Sequence, residues 1–211
     1  MQKKFNILNN TTVYDGFFQL EKYDLTHTLY AGGWSEPINR ELYKRSNCVA
    51  VLLYDPVADN VVLIEQFRIG AINNPERAWL LEIVAGAIDE GETPEQVAHR
   101  ESKEEAGCDI LELQFITRFY TTPGGSSEQI SLFYGRVDSS QIGGIHGLAH
   151  EHEDILVTTV SFAEAYQMVE DGRIESGIPI IAIQWLALHR DSLMGSLKIS
   201  SPSGRGLGLG L

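Results

Sequence analysis

Residues 86–108 constrain this chain more than any other stretch, because they predict a tight turn that leads into an acidic helix. Thr93 is a good N-cap, Pro94 suits the first helical position, and Gly107 can adopt the left-handed conformation that ends a helix. The signals at both ends therefore predict a helix over residues 94–106.

Three glutamates, Glu101, Glu104 and Glu105, stand at positions i, i+3 and i+4 and share one face of this helix. Like charges at these spacings each cost about 0.2–0.5 kcal/mol, and the helix dipole disfavours anions near the C-terminus. Arg100 can pair with Glu104, but it leaves Glu101 and Glu105 without an obvious cation. The face is either a solvated acidic surface or a site for a hard cation such as Mg²⁺, which shares its remaining positions with substrate phosphates.

The spacing around the glutamates favours the cation site. From Gly86 to Gly107, every fixed residue is present in the pattern G-x5-E-x7-R-E-U-x-E-E-x-G-U, where U is a bulky apolar residue. The departures are at the U positions, where Ser102 is small and polar and Cys108 is smaller than usual. This pattern is the Nudix box, and through it the chain resembles the Nudix hydrolases.

The composition limits the classes of protein to which this chain can belong. The 211 residues, 43% of them hydrophobic and 21% charged, suit one globular domain, with or without a small appendage. A formal net charge of −13 argues against nucleic acid or an anionic membrane surface as a partner. No apolar run reaches the roughly 18 residues of a membrane span, and the first residues lack the apolar core of a signal peptide. We therefore expect a cytoplasmic protein in which Cys48 and Cys108 are free thiols.

The hydrophobic pattern along the chain predicts an α+β fold. A loose lead-in at residues 1–11 precedes a small antiparallel sheet, with strands at 17–29 and 38–45, that cannot be stable alone. Core strands are predicted at residues 48–54, 61–67, 79–85, 111–120, 129–137 and 155–160. Two further helices are predicted, one from Ser161 to Gly172 and one over residues 178–193.

Two segments read as irregular. Residues 141–153 contain several glycines and an acidic cluster, so we expect a mobile lid. The Gly/Ser-rich tail should be disordered. The predicted division is a dimerising N-terminal sheet at 1–46, a hydrolase domain at 47–193 and a disordered tail at 194–211.

Between Val13 and His189 the chain is similar to the branch of the Nudix family that acts on ADP-ribose. Besides the box, the resemblance rests on Gly16-Phe17-Phe18, Arg40-Glu41, Glu65-Gln66-Phe67-Arg68, Trp79-Leu80-Leu81-Glu82, the loop at Pro123 and the segment 147–154. It implies an α/β/α sandwich with a mixed sheet and a homodimer that exchanges N-terminal sheets. It also implies hydrolysis of ADP-ribose to AMP and ribose 5-phosphate with Mg²⁺, or Mn²⁺ as a substitute.

The resemblance also implies roles for individual residues. Glu101, Glu105 and the backbone carbonyl of Ala85 would bind the metal, and Glu104 would be a further ligand or a supporting catalytic residue. Glu153 is a candidate ligand and Glu151 a candidate general base. The implied substrate-binding residues are Phe17, Phe18, Arg40, Glu41, Arg45, Arg68, Ala87, Thr122 and Glu128.

Several alternatives stay open from sequence. Arg68 is either a surface residue or a phosphate clamp, and one of Phe17 and Phe18 is expected in the core while the other stacks on adenine. Glu153 competes with Glu151 for the base role. Hydrolysis of another nucleoside diphosphate sugar, or a non-catalytic ADP-ribose sensor, are the alternative functions.

Overall fold

The structure is a computed structural model that describes residues 2–199. The strands within this range are β1 (Phe5–Asp15), β2 (Gln19–His27), β3 (Ile38–Lys44), β4 (Cys48–Asp55), β5 (Asn60–Phe67), β6 (Trp79–Glu82), β7 (Val84–Ala87), β8 (Glu112–Tyr120), β9 (Gln129–Arg136), β10 (Gly144–His146) and β11 (Ile155–Ser161). The helices are α1 (Pro94–Ala106), α2 (Phe162–Glu170) and α3 (Gly177–Ile199).

A mixed eight-stranded sheet forms the centre of the molecule, with the order β10-β11-β5-β4-β9-β8, while β6 pairs with β5 and β7 with β4. Strand β4 runs parallel to β9 and antiparallel to β5 and β7. Alternate residues of β4 point to opposite faces: Val49 and Val51 pack in the core with α1, and Ala50 and Leu52 in the core with α2 and α3. Helices therefore cover both faces, which confirms the α/β/α sandwich with a mixed sheet.

Helix α1 begins and ends where its sequence predicts. The Thr93 hydroxyl accepts from the Gln96 N–H at 3.3 Å and the Gln96 side chain accepts from the Thr93 N–H at 2.8 Å, so the capping box is complete. Gly107 ends the helix in the left-handed conformation, at φ 64°. Val97 and Ala98 are fully buried on the sheet, and Glu101 and Glu105, four and eight residues after Val97, continue the same buried face.

The prediction of a loose lead-in at residues 1–11 is wrong, because Phe5–Asp15 is a strand paired antiparallel with β2. Asn9 and Asn10 have low β-propensity, and the ladder with β2, which lies later in the chain, overrides it. Strands β1, β2 and β3 form a separate three-stranded sheet, and every residue of β1 is exposed. This sheet meets the main body where the Tyr43 N–H donates to the Gly125 carbonyl at 2.8 Å.

Three other boundaries differ from the predictions. The predicted strand at 79–85 is two strands that break at Ile83, where the chain changes its partner from β5 to β4. Residues 141–153 are not wholly irregular, since β10 pairs with β11. Helix α3 continues to Ile199, past the predicted end at 193, and the remainder of the predicted tail, 200–211, lies outside the described residues. None of the helices in the described part of the chain is long and apolar enough to cross a membrane.

Candidate active site

Two acidic side chains of α1 lie against the backbone of β7. The Ala85 N–H donates to Glu105 Oε2 at 2.9 Å. The Glu101 carboxylate packs on Gly86 so closely that a Cβ there would stand 1.7 Å from Glu101 Oε1. The α1 face therefore brings both carboxylates against β7, and Gly86 makes room for Glu101 because it has no Cβ.

Burial dominates the ionisation of this pair. It raises the pKa of Glu101 to about 7 and the pKa of Glu105 to about 8. The negative charge of Glu153 raises both pKa values further. At Glu101, the charge of Glu104 also raises the pKa, and Arg100 lowers it. The two buried acids therefore lie within the field of other carboxylates at this end of the sheet.

Arg100 joins the acidic residues more extensively than the sequence suggested. Its Nε donates to Glu92 Oε1 at 2.9 Å, and its Nη1 donates to Glu101 Oε1 at 2.7 Å and to Glu104 Oε2 at 3.1 Å. The prediction that Glu101 lacks a cation is therefore wrong, because the five donors of a guanidinium can serve several carboxylates at once. Among the side chains that the structure describes, residues 2–195, Glu105 forms no comparable ion pair.

Arg68, at the end of β5, faces the same region. Its Nε donates to Glu82 Oε2 at 2.7 Å, and its charge lowers the pKa of Glu105, which places it on the acidic side of the sheet. The guanidinium is half exposed, so its remaining N–H groups stay available. This geometry suits the clamp alternative better than an isolated surface arginine.

Of the two glutamates in the segment 141–153, Glu153 is the one that the structure brings to the α1 acids. Its Oε2 accepts from the Leu148 N–H at 3.2 Å, and its charge acts on both Glu101 and Glu105. Glu151 lies on an exposed 3₁₀ turn, with its Oε1 3.6 Å from His150 Nε2. In this conformation the predicted base is turned to solvent.

The donor set at this end fits a hard divalent cation. Glu101, Glu105 and the Ala85 carbonyl offer oxygen donors alone, the type that Mg²⁺ and Mn²⁺ prefer. No three His, Cys, Asp or Glu side chains among the described residues already converge in a metal-binding geometry. In this structure the Ala85 N–H holds Glu105, Arg100 holds Glu101 and the Leu148 N–H holds Glu153.

A cavity of about 580 Å³ opens close to the acidic residues, since Ala87 at the end of β7 lines it. Phe18 lies in this cavity, packed edge-on against Tyr43 at 5.0 Å between ring centroids, with the Arg45 guanidinium 4.8 Å from its own ring centre. Phe17 also lines the cavity but is 94% exposed. The cavity therefore combines an aromatic surface with a cation.

The remaining predicted substrate residues divide into two places. Glu128 pairs with Arg45 at 3.1 Å beside the cavity, and Thr122 belongs to the neighbouring loop, where its carbonyl accepts from the Ser126 N–H at 2.9 Å. Arg40 and Glu41 instead line a separate groove on β3 together with Pro123 and Gly124. Within a single chain, the structure does not bring Arg40 and Glu41 to the cavity of Phe18 and Arg45.

Sequence reasoning missed three contributors. Cys48, the first residue of β4, lines the cavity, and its position directly after the Arg45 segment was a usable signal. Glu82 orients Arg68, and the Leu148 N–H orients Glu153. The contact of Glu82 with Arg68 joins residues 14 positions apart, while that of Leu148 with Glu153 spans five residues of one loop and depends on how the loop folds.

Comparisons with known proteins agree with this geometry. The NUDIX domain family model matches residues 44–177. The chain is 46% identical over 202 residues to an ADP-ribose pyrophosphatase of Haemophilus influenzae, covering 94% of this chain and 93% of the relative. It is 47% identical over 187 residues to an ADP-ribose pyrophosphatase of Escherichia coli, covering 89% and 90%.

Two further matches are more distant. A GDP-mannose pyrophosphatase of Salmonella arizonae is 33% identical over 198 residues, covering 92% of this chain and 100% of the relative. Among solved structures, a crystal structure of an ADP compounds hydrolase superposes with a TM-score of 0.67 at 24% identity, covering 92% of this chain and 96% of that one. The structural match supports the fold.

Proposed function

The chain belongs to the NUDIX family, and on that premise we propose that it hydrolyses the diphosphate of ADP-ribose to AMP and ribose 5-phosphate. One observation carries the proposal: Glu101 and Glu105 are buried against the backbone of β7, next to a cavity that holds Phe18 and Arg45. The acidic end suits a cation-bound diphosphate, and the aromatic end suits a nucleoside.

A divalent cation is the proposed cofactor. Glu101, Glu105 and the Ala85 carbonyl would hold it, with Glu153 as a further ligand and Glu104 as a ligand or support. Mg²⁺, or Mn²⁺ in its place, supplies neutralisation of the diphosphate charge and a lowered pKa for the attacking water.

Glu151 is the proposed general base. Its carboxylate takes the proton of the attacking water, the water oxygen bonds to one phosphorus, and the bridging P–O bond breaks with its electron pair on the departing phosphate. Among the described residues no backbone N–H donates to the exposed side chain of Glu151, whereas the Leu148 N–H fixes Glu153. Closure of the lid would therefore move Glu151 more easily than Glu153.

The proposed phosphate and nucleoside contacts follow from position. Glu82 binds Nε of Arg68, so the Nη groups of Arg68 would bind a phosphate. Arg45 lines the cavity and would contact the same ligand from there. Phe17 and Phe18 offer the faces on which adenine would stack. Glu128 and Thr122 border this cavity and complete the proposed substrate set with Ala87, Arg40 and Glu41.

The relatives' names separate the substrate candidates. Those with 46% and 47% identity are ADP-ribose pyrophosphatases, which favours ADP-ribose. The more distant GDP-mannose pyrophosphatase gives a specific reason to keep another nucleoside diphosphate sugar as the second candidate. Both candidates use the same diphosphate chemistry.

We further propose a cytoplasmic homodimer. All of β1 is exposed, and its side chains Phe5, Ile7, Leu8, Val13 and Tyr14 present apolar surface of the kind that a second subunit covers. The separate groove of Arg40 and Glu41 fits a contribution to the partner's site. Two free cysteines fit a reducing compartment.

A substrate panel tests the function. ADP-ribose, GDP-mannose and a second ADP-sugar are incubated with Mg²⁺ and scored for release of AMP or GMP, with a chelator blank. We expect AMP from ADP-ribose at the highest kcat/KM. Preferential release of GMP would establish the second candidate, and binding of ADP-ribose without any cleavage would reject an enzyme in favour of a sensor.

A further inference from the structure

His146, the last residue of β10, packs its ring against the C-terminal cap of α1. The contact is so close that a Cβ on Gly107 would lie 2.3 Å from His146 Cε1. The imidazole Nε2 lies 3.1 Å from the Gly143 carbonyl, so an Nε2–H donates a hydrogen bond across the turn before β10. The ring therefore connects the start of the lid with the end of the helix that carries the buried glutamates.

A backbone hydrogen bond lies next to this contact. The Gly147 N–H donates to the Glu104 carbonyl at 3.3 Å. The last carbonyls of a helix have no partner within the helix, so the lid supplies one of the missing donors. Two adjacent residues, His146 and Gly147, thus hold the lid against the last turn of α1.

Beyond Gly147 the chain forms a compact loop, residues 147–153, whose two ends touch. Gly147 has φ 100°, and a Cβ there would lie 2.7 Å from the Glu153 Cβ. Leu148 closes the loop twice, because its carbonyl accepts from the Glu153 N–H at 3.3 Å and its N–H donates to Glu153 Oε2 at 3.2 Å. The orientation of the Glu153 carboxylate therefore depends on where Gly147 and Leu148 lie.

We propose that His146 is a positioning residue, which sets the loop 147–153 against the cap of α1 and so places Glu153 beside Glu101 and Glu105. The ring acts through packing on Gly107 and through its bond to Gly143, and it touches no substrate. The catalytic consequence rests on the proposed diphosphate hydrolysis, but the effect on the loop does not.

Three variants separate the parts of this role. His146→Ala removes the ring and its donor, and His146→Phe keeps a flat ring without the donor. His99→Ala is the matched control, because His99 is an exposed histidine of α1 outside these contacts. We expect His146→Ala to lower kcat by about 10²-fold, the typical cost of a misplacement near 1 Å, with KM changed by less than roughly threefold.

His146→Phe should recover part of the lost kcat, and His99→Ala should match the wild type. The wild type should also gain more thermal stability from Mg²⁺ than His146→Ala, since a displaced Glu153 can no longer support the cation. A kcat for His146→Ala within about twofold of wild type, measured on folded protein, would overturn the positioning role.

Hydrogen exchange gives a readout that needs no activity. In His146→Ala the Gly147 and Leu148 amides should exchange roughly tenfold faster or more, because the loop opens locally. The Gly107 and Cys108 amides, which donate to α1 carbonyls, should stay protected. Unchanged exchange at Gly147 and Leu148 would reject the proposal. Faster exchange in a protein that cleaves no substrate would support the positioning and reject the proposed function instead.

Discussion

The backbone N–H of Ala85 donates a 2.9 Å hydrogen bond to the carboxylate of Glu105, a residue that is only 2% exposed. The bond fixes a buried acid on the same β7 residue whose carbonyl is a proposed metal donor. It also means that an amide oxygen could replace the carboxylate oxygen as acceptor. Charge and shape at this position can therefore be separated by substitution.

Glu105→Gln should retain the fold and lose the activity. Its amide oxygen can accept from Ala85, and above about pH 8, where Glu105 ionises, the variant also avoids about 0.2–0.5 kcal/mol of like-charge repulsion in α1, so its melting temperature in chelator should equal or exceed that of wild type. Hydrolysis with Mg²⁺ should fall by orders of magnitude, and the stabilisation by added Mg²⁺ should shrink. Glu95→Gln, an exposed acid of the same helix, is the control. A variant that melts lower in chelator and stays active would make Glu105 a structural residue.

The metal-free protein should lose stability as the pH rises. Burial raises the pKa of Glu101 to about 7 and that of Glu105 to about 8, both above the ordinary value of 4.5. Between about pH 4.5 and pH 8 the folded state therefore keeps protons that the unfolded state releases. The stabilisation that results from these protons is complete below about pH 4.5 and is lost as the pH rises to about 8. Each group contributes a slope of about 1.4 kcal/mol per pH unit at most.

Urea unfolding in chelator between pH 5 and pH 9 measures this slope. Glu105→Gln should have a shallower dependence than wild type, and the gap between the two should widen toward high pH in favour of the variant. A wild-type stability that rises through this window would show that the two carboxylates are ionised without cost.

Gly86→Ala should displace Glu101 while leaving most of the fold intact. The added Cβ would lie 1.7 Å from Glu101 Oε1, so the carboxylate must move away from β7. We expect activity to fall by about 10²-fold, because a donor displaced by 1 Å or more no longer completes the site. Gly177→Ala is the matched control, since a Cβ there meets nothing within 4 Å. Equal activities of the two variants would show that the position of Glu101 is unimportant.

Glu151→Gln and Glu153→Gln should fail in different ways. Glu151 is exposed, whereas Glu153 is held near the α1 acids. Glu151→Gln should therefore have a lower kcat, with little change in KM or in stabilisation by Mg²⁺. The second should lose stabilisation by Mg²⁺ as well as activity. Steady-state kinetics and melting with and without Mg²⁺ separate them. Unchanged kcat in Glu151→Gln would transfer the base role to Glu153.

The features that the sequence predicted well depend on residues that lie close together in the chain. The caps at Thr93 and Gly107 lie within one turn of the residues they serve, and the alternation in β4 follows from its own side chains. Helix α1, its acidic face and the α+β class follow from such local signals, whereas the α/β/α sandwich and the approach of Glu101 and Glu105 to Ala85 were implied by the resemblance to the Nudix family.

What the sequence failed to predict depends on pairings that residue propensities and short spacings do not encode. Strand β1 exists because β2 pairs with it, despite the asparagines in its middle. The contact of His146 with Gly107 and the pairing of Arg68 with Glu82 join segments whose spacing carries no signal. Arg100 and Glu101 are adjacent in the chain, and their hydrogen bond was still missed. The predicted i,i+4 pair of Arg100 with Glu104 does not show that the same guanidinium also binds other carboxylates.

Association through β1 is tested by charging its apolar surface. Ile7→Lys places a cation on a residue that is 53% exposed in the single chain, where a partner subunit would bury it at a cost of several kcal/mol. Leu188→Lys on α3, at 83% exposure, is the control for a surface outside the N-terminal sheet. Sedimentation at micromolar concentration should show a dimer for the wild type and the control and a monomer for Ile7→Lys. A wild-type monomer with full activity would refute the dimer.

Sharing of the site between subunits has a sharper test in mixed dimers. Arg40 stands five residues before Arg45 along an extended segment, about 16 Å at the usual rise of a strand, and lines a different groove. If Arg40 serves the partner's site, Arg40→Ala and Glu105→Gln homodimers are both impaired, yet a mixed dimer contains one site with wild-type Arg40 and wild-type Glu105. Equal mixing after unfolding and refolding should then restore about one quarter of the wild-type activity, since half the dimers are mixed and each has one intact site. If Arg40 instead serves its own chain, every site in a mixed dimer carries one defect, and mixing restores nothing.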